Sequence, residues 1–247
     1  MFDELMRRGW PALAESDLDG WLARVSGGVT QRANSVASLA EPADVDAAVS
    51  AVERLYAEHG LPAVFQVGPT ARPADLDARL AARGYEFGSP TVFEVAETAA
   101  VLARLPAHPV PVTLADEPDE SWMDLWWRVD GRGGADARAV ARAILTGGPA
   151  RYAAVDGPHG ALAVARLALV GEWGGLYCLA VHPAARRRGL GTAVTRALLA
   201  DAAPAGVSRC WLQVRAENAA ALALYEAAGF TPAARYHYRT SPPPRDS

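Results

Sequence analysis

The stretch Leu176-Tyr177-Cys178-Leu179-Ala180-Val181-His182-Pro183-Ala184-Ala185-Arg186-Arg187-Arg188-Gly189-Leu190-Gly191-Thr192-Ala193 decides how the chain is read. It opens as an apolar strand that ends near His182-Pro183, passes through a short basic loop, and enters a helical pattern running from about Gly191 to Ala202. The first N–H groups of a helix have no intrahelical acceptor, so they can converge on one anion. Glycine at 189 and 191 omits the Cβ atoms that would hold a diphosphate away from the backbone. The helix dipole adds ~0.3–1 kcal/mol per favourable charge, and the arginines add charge-assisted hydrogen bonds. The loop therefore suits a diphosphate. A dinucleotide fold would place its first glycine directly after a strand of a parallel unit, with an acid about 20 residues on. Here a longer basic segment intervenes, the strand belongs to an antiparallel meander, and no suitable acid follows. A solvated arginine run beside a helix start is the plainer alternative.

Outward from this stretch, the period of apolar residues changes in a readable order. Helices are expected over about Asp119 to Val129 and Ala135 to Thr146, then strands over Tyr152 to Val155, Ala161 to Val170 and Leu176 to Val181. The turn signals Asp156-Gly157-Pro158 and Gly171-Glu172-Trp173-Gly174-Gly175 are too short for crossovers and require antiparallel neighbours. After the loop and its helix come a strand over Arg209 to Val214, a helix over Ala219 to Ala228 stopped by Gly229, and a strand over about Ala233 to Tyr238. A meander joined to a parallel crossover gives an α/β (α+β) mixed sheet rather than a doubly wound one. Upstream, Val64-Phe65-Gln66-Val67 and Leu80-Ala81-Ala82-Arg83-Gly84-Tyr85 echo Trp211-Leu212-Gln213-Val214 and Tyr225-Glu226-Ala227-Ala228-Gly229-Phe230. The repeated order of strand, helix, glycine stop and strand reads as an internal duplication, with chance similarity of two Ala-rich helices as the alternative. The proline-rich segment 106–111 reads as an extended linker. It separates an N-terminal half, residues 1–105, from a C-terminal half, residues 112–241, and a disordered tail is expected at 242–247.

Composition narrows the function. All 24 basic residues are arginine, which removes Schiff-base lysines and Walker-type lysine loops. A net charge of −4 argues against general nucleic-acid binding. Arg166 interrupts the longest apolar run, and no signal peptide precedes Asp3 and Glu4, so the expectation is a cytoplasmic protein with no membrane span. Cys178 and Cys210 lie in strand-like runs and read as buried small hydrophobes, with a catalytic thiol as the sharper alternative. His182 lacks a spaced partner and the five histidines are scattered, so no metal site is expected.

The loop Arg186-Arg187-Arg188-Gly189-Leu190-Gly191, placed after Val181-His182-Pro183, resembles the acetyl-CoA diphosphate loop of the GNAT superfamily of N-acetyltransferases. The run from Asn218 to Phe230 resembles the next motif of that family, and the resemblance covers about Val112 to Arg239. The N-terminal half looks like a degenerate copy without the loop. The whole, including Gly27-Gly28-Val29-Thr30-Gln31-Arg32-Ala33-Asn34-Ser35-Val36, resembles actinobacterial two-part GNAT proteins.

The resemblance implies a mostly antiparallel mixed sheet with a splayed strand pair, and acetyl-CoA as co-substrate. The diphosphate would lie on Arg186 to Thr192, and pantetheine beside the backbone of Leu179, Ala180 and Val181. Asn218 is implied near the cofactor arm and Tyr225 beside the sulfur, where Tyr225 would protonate the departing thiolate. A phenol of pKa ~10 suits that task. Leu80 stands at the corresponding place in the first copy, which would leave that copy inactive. The acceptor is expected to be a primary amine of a small or amino-acid-like molecule, attacking directly in a ternary complex. A peptide or protein N-terminus and a non-catalytic CoA-binding module are the alternatives. Glu172 is the acid nearest the strand before the loop and the candidate base, with a solvated turn glutamate as the plainer reading, and Asp116 and Glu117 stand behind it. The resemblance puts substrate pockets on the helix pair after the first strand, which here offers Trp122, Trp126, Trp127 and Asp130. Trp122, Trp126 and Val129 share one helix face and read as core, which leaves Trp127 as the better pocket candidate. Arg32, Asn34 and Ser35, on an expected strand of the N-terminal half, could reach the acceptor, with an ordinary turn or edge as the equal alternative. A monomer or homodimer is expected.

Overall fold

Along the central strands, neighbouring residues belong to opposite sides of one sheet, as the two-residue period of a strand requires. Tyr152, Val164 and Trp211 join a core with helices below, whereas Ala153, Ala165 and Leu212 join a core with helices above. The computed structural model describes residues 1–242, so the tail expected at 242–247 lies, after its first residue, outside the described residues. The N-terminal half runs α1 (Phe2–Gly9), β1 (Ala14–Leu18), β2 (Trp21–Val25), β3 (Val36–Ser38), α2 (Val45–Glu58), β4 (Val64–Val67), α3 (Leu76–Ala82), β5 (Glu86–Glu97) and α4 (Thr98–Arg104). There follow β6 (Thr113–Ala115), α5 (Glu120–Asp130), α6 (Ala135–Thr146), β7 (Ala150–Gly157), β8 (Gly160–Val170) and β9 (Trp173–Val181). The chain closes with α7 (Leu190–Ala202), β10 (Arg209–Arg215), α8 (Ala219–Ala228) and β11 (Thr231–Thr240). Among the described residues no helix is long and apolar enough to cross a membrane.

All eleven strands form one sheet in the order β1-β2-β3-β4-β11-β5-β10-β9-β8-β7-β6. Among the described residues only β3 with β4 and β9 with β10 pair in parallel. The strand–helix–strand echo is present as β4-α3-β5 and β10-α8-β11, and its closing strands are exchanged. Strand β11 pairs with β4 from His237↔Val67 to Thr240↔Val64, and β5 pairs with β10 from Glu97↔Arg209 to Thr91↔Arg215. The two exchanged strands also pair with each other, so the sheet is continuous across the middle of the molecule.

The feature that positions the site is the separation of β9 from β10. They pair only at Arg209↔Trp173, Cys210↔Gly174 and Trp211↔Gly175. The Trp211 indole lies over Gly175, where a Cβ would come within 2.3 Å of Cζ2. Beyond that point β9 carries a bulge. Tyr177 faces Arg166 and Ala180 faces Val164, so Cys178 and Leu179 together oppose Ala165, and Cys178 takes the left-handed φ of 55°. A bulge bends its strand and sharpens the twist, and here it turns the far half of β9 away from β10.

Arg166 has a structural place in this core. It is fully buried and donates to the carbonyls of Gly9 (2.8 Å) and Leu145 (3.1 Å), at the C-terminal ends of α1 and α6. Those carbonyls have no further helical turn to donate to them, and a cation there is favoured by the dipole.

Candidate active site

The loop after β9 is shaped by short-range bonds. His182 Nδ1 accepts the Ala184 amide at 3.3 Å, and Pro183–Ala185 make one 3-10 turn. Arg187 and Gly189 take φ of 63° and 74°. The Ala193 amide donates to the Gly189 carbonyl at 3.0 Å, so the amides of Leu190, Gly191 and Thr192 precede the first intrahelical bond of α7. Only glycine suits position 189, because a Cβ would also meet the His108 ring at 3.0 Å. His108 Nδ1 accepts the Val110 amide (3.1 Å), which leaves the proton on Nε2 to be donated to the Arg188 carbonyl (3.0 Å). The proline-rich segment is thereby docked on the loop.

A cavity of about 600 Å³ opens between this loop, the splayed part of β9 and α8. Arg186, Arg187, Gly189, Leu190, Gly191 and Thr192 form one wall, Leu179 and Val181 a second, and Leu224 and Tyr225 a third. A Cβ on Gly191 would point at Val181 and Leu179 from 3.6 and 3.7 Å, so this glycine keeps the cavity open. Ala180 turns its side chain into the core and offers only backbone. Free helix amides, flanking arginines, an unpaired strand edge and an apolar wall fit the diphosphate and pantetheine of coenzyme A.

A second cavity, about 280 Å³, adjoins the first and shares Val129, Leu179, Thr195 and Tyr225 with it. Its other walls bring together residues far apart in sequence, among them Trp10, Arg32, Asp130, Tyr177, Gln213 and Arg215. Tyr225 stands at the junction, edge-on to Phe230 with ring centroids 5.7 Å apart. Burial pushes its phenol up to about 12, and the charge of Glu94 adds to the effect, so it stays protonated at neutral pH. Burial also drives the Cys178 thiol well above its ordinary range, which makes this cavity-lining group a poor nucleophile.

Several expected site residues lie elsewhere. Glu172 sits in the β8–β9 turn, at the opposite end of β9 from the loop. It accepts from Ser208 Oγ at 2.9 Å and stands 3.9 Å from Arg209. Nine extended residues at ~3.3 Å each put it roughly 30 Å from the loop. Trp127 lines neither cavity; it packs on Trp126 with centroids 5.7 Å apart and covers Gly131. Val129, expected in the core, is instead 39% exposed and lines both cavities. Val129 and Asp130, in the last turn of α5, reach the cavity wall.

Asn34 is buried as a loop organiser. Its Oδ1 accepts the amides of Ser26 (2.7 Å) and Gly28 (2.9 Å), and its Nδ2 donates to the Thr30 carbonyl (2.8 Å). Arg32 does reach the second cavity, but from a 3-10 turn over Gln31–Ala33 rather than from a strand. Asn218 caps α8 by accepting the Ala221 amide at 3.1 Å and lines the second cavity rather than the first. Arg188 faces away, toward a separate cavity with His182. Sequence reasoning did not assign Trp10, Tyr177 or Gln213 to the site, and no local signal marks them. Asp130, in the helical region the resemblance offers for the acceptor, does line the smaller cavity.

Comparison with known proteins agrees with this geometry. Residues 3–239 match the family described as "Probable histone acetyltransferase Rv0428c C-terminal". An uncharacterized N-acetyltransferase of Bacillus subtilis, YobR, is 29% identical over 239 residues, spanning 96% of both chains. The ribosomal protein bS18-alanine N-acetyltransferase of Escherichia coli is 46% identical over 68 residues, 27% of this chain and 46% of that protein. A solved GCN5-related N-acetyltransferase from Kribbella flavida shares the fold with a TM-score of 0.69, at 16% identity over 98% of this chain and 95% of the other. A loop for a diphosphate, a splayed strand pair and a match along nearly the whole length converge: the chain belongs to the GNAT-type N-acetyltransferases, in the family of the Rv0428c C-terminal region.

Proposed function

We propose that the protein acetylates the primary amine of a small, amino-acid-like acceptor, with acetyl-CoA in the larger cavity and the acceptor in the smaller one. The observation that carries this reading is the shared boundary of the two cavities at Tyr225 and Leu179. The co-substrate supplies an acetyl group activated as a thioester. The amides of Leu190, Gly191 and Thr192, with Arg186 and Arg187, hold its diphosphate. The backbone edge of Leu179 to Val181 pairs with its amide-bearing arm.

The acceptor must be neutral to attack. A lysine-like amine of pKa ~10.4 is neutral in about 1 part in 2500 at pH 7, a cost of ~4–5 kcal/mol, whereas an α-amine of pKa ~8 costs only ~1. Asp130, at the end of α5 in the smaller cavity, is placed to take the proton the amine loses. As the new N–C bond forms and the C–S bond breaks, Tyr225 donates its phenolic proton to the leaving sulfur. A small cavity and a single acid suit an α-amine better than a lysine side chain.

The test is thiol release from acetyl-CoA with a panel of free amino acids, small amines and peptides. Turnover of free amino acids or small amines supports the reading. Turnover of peptides alone supports the second reading, a protein N-terminus, which the 68-residue likeness to the bS18-alanine enzyme favours.

A further inference from the structure

The smaller cavity contains a cation that no acid among the described residues neutralises. Arg32 donates Nε to Gln213 Oε1 at 2.6 Å, and its guanidinium carbon lies 5.9 Å from the Trp10 ring centroid. Gln213 Oε1 also accepts the Tyr236 hydroxyl at 2.9 Å, so the amide that holds Arg32 is itself held. Tyr236 is the other polar side chain against Arg32, so the guanidinium keeps N–H donors to spare beyond Gln213 and Tyr236, and among the described residues no carboxylate forms an ion pair with it. The other cation of the cavity, Arg215, is paired with Glu217 at 2.7 Å. Phenols also face Arg32, and burial pushes those of Tyr177 and Tyr238 up, the first to about 12, so these two carry no negative charge near neutral pH.

The Arg32 guanidinium is half-buried, borders the cavity among aromatic rings and has no counter-ion among the described residues, so it is open to an anion. A planar fork with donors to spare matches a carboxylate. Asp130 lines the same cavity, which thereby offers one site for an anion and one for an amine. At about 280 Å³ it lies below the range of drug-sized pockets and has room for a molecule of one amino acid's size.

We infer that the acceptor carries a carboxylate as well as its amine, and that Arg32, contributed by the N-terminal half of the chain, binds that carboxylate and sets acceptor specificity. Gln213 is a positioning residue that fixes the guanidinium from β10. The acceptor class is a free amino acid of modest size, and the N-terminal half, though it has no diphosphate loop of its own, supplies the recognition of its acid end. This inference rests on the acetyl-transfer reading above.

The experiment uses the full chain with acetyl-CoA. Thiol release is measured for the twenty amino acids, for their carboxamides, and for the matching amines that lack the carboxyl group. Acetyl-CoA affinity is measured separately by calorimetry. The preferred amino acid should exceed its amide in kcat/KM by about 10²-fold or more, as expected where a polar site loses its partner. Arg32→Gln should remove about 10²–10³-fold from that acid, chiefly through KM, and leave the amide and acetyl-CoA affinity within twofold. Arg32→Lys, which keeps the charge without the fork, should lose about tenfold. Acids and amides turned over alike overturn the inference, as does an Arg32→Gln defect equal for all acceptors. Acetyl-CoA binding without turnover of any free amino acid also overturns it and leaves the cofactor reading standing. Failure of the folded protein to bind acetyl-CoA overturns the acetyl-transfer reading itself.

Discussion

Trp211 Nε1 donates to the Tyr177 hydroxyl at 3.2 Å, and the pair stands where β9 and β10 separate. The indole covers Gly175 on β9 and Gly9 at the end of α1, while Tyr177 continues into the smaller cavity. One aromatic contact thus joins the core to the wall of the site.

Gly175→Ala tests that contact. The added Cβ would run into the Trp211 ring, at Cζ2, Cε2 and Cη2. Overpacking of this kind costs about 1–3 kcal/mol. The urea midpoint should fall with an unchanged slope, which locates the effect in the native state.

Gly191→Trp should remove acetyl-CoA binding and leave the fold intact. The Cβ itself makes ordinary contacts with Val181 and Leu179, so the helix start tolerates it, but the ring has only the cleft to occupy. Calorimetry should show affinity weakened by about 10²-fold or more, a loss of roughly 3 kcal/mol, while the melting temperature moves little.

Tyr225→Phe should lower kcat by about 10²-fold, the low end of general acid catalysis, and change acetyl-CoA affinity less than twofold. Because burial pushes the phenol up to about 12, the wild-type rate should show no alkaline fall with a midpoint near 10. An unchanged kcat in the variant removes Tyr225 from the mechanism.

Stability should decline at alkaline pH. Tyr56 and Tyr177 are pushed up to about 12 by burial, as is Cys210, whereas the unfolded chain ionises at ~10 for phenols and ~8.5 for thiols. Below those values both states are protonated and the contribution is intact. Above them the unfolded state binds fewer protons, so unfolding becomes easier by up to ~1.4 kcal/mol per pH unit for each group. The denaturation midpoint should be level to about pH 8.5, fall beyond 9 and fall more steeply above 10. Tyr177→Phe should flatten the steeper part.

Much of this arrangement was legible because it is local. The turns of the meander, the Gly229 stop with its left-handed φ of 98°, and the loop before α7 depend on residues close in sequence. The meeting of Arg32 with Gln213, 181 residues apart, depends on strand order and on which closing strand enters which half of the sheet, and no periodicity encodes that. Arg166 looked like an interruption of an apolar run, and only the converging ends of α1 and α6 account for it. Glu172 is the contrary case. Strand length alone separates it from the loop, so its distance from the site could have been read from the sequence.

The exchanged closing strands make the half without a diphosphate loop a piece the molecule cannot shed. Cutting the chain near His108 would strip β5 from beside β10 and β11 from beside β4, leaving two bare hydrogen-bonding borders open to aggregation. Neither half can therefore be removed without breaking the sheet of the other, and the protein should melt in one step rather than two.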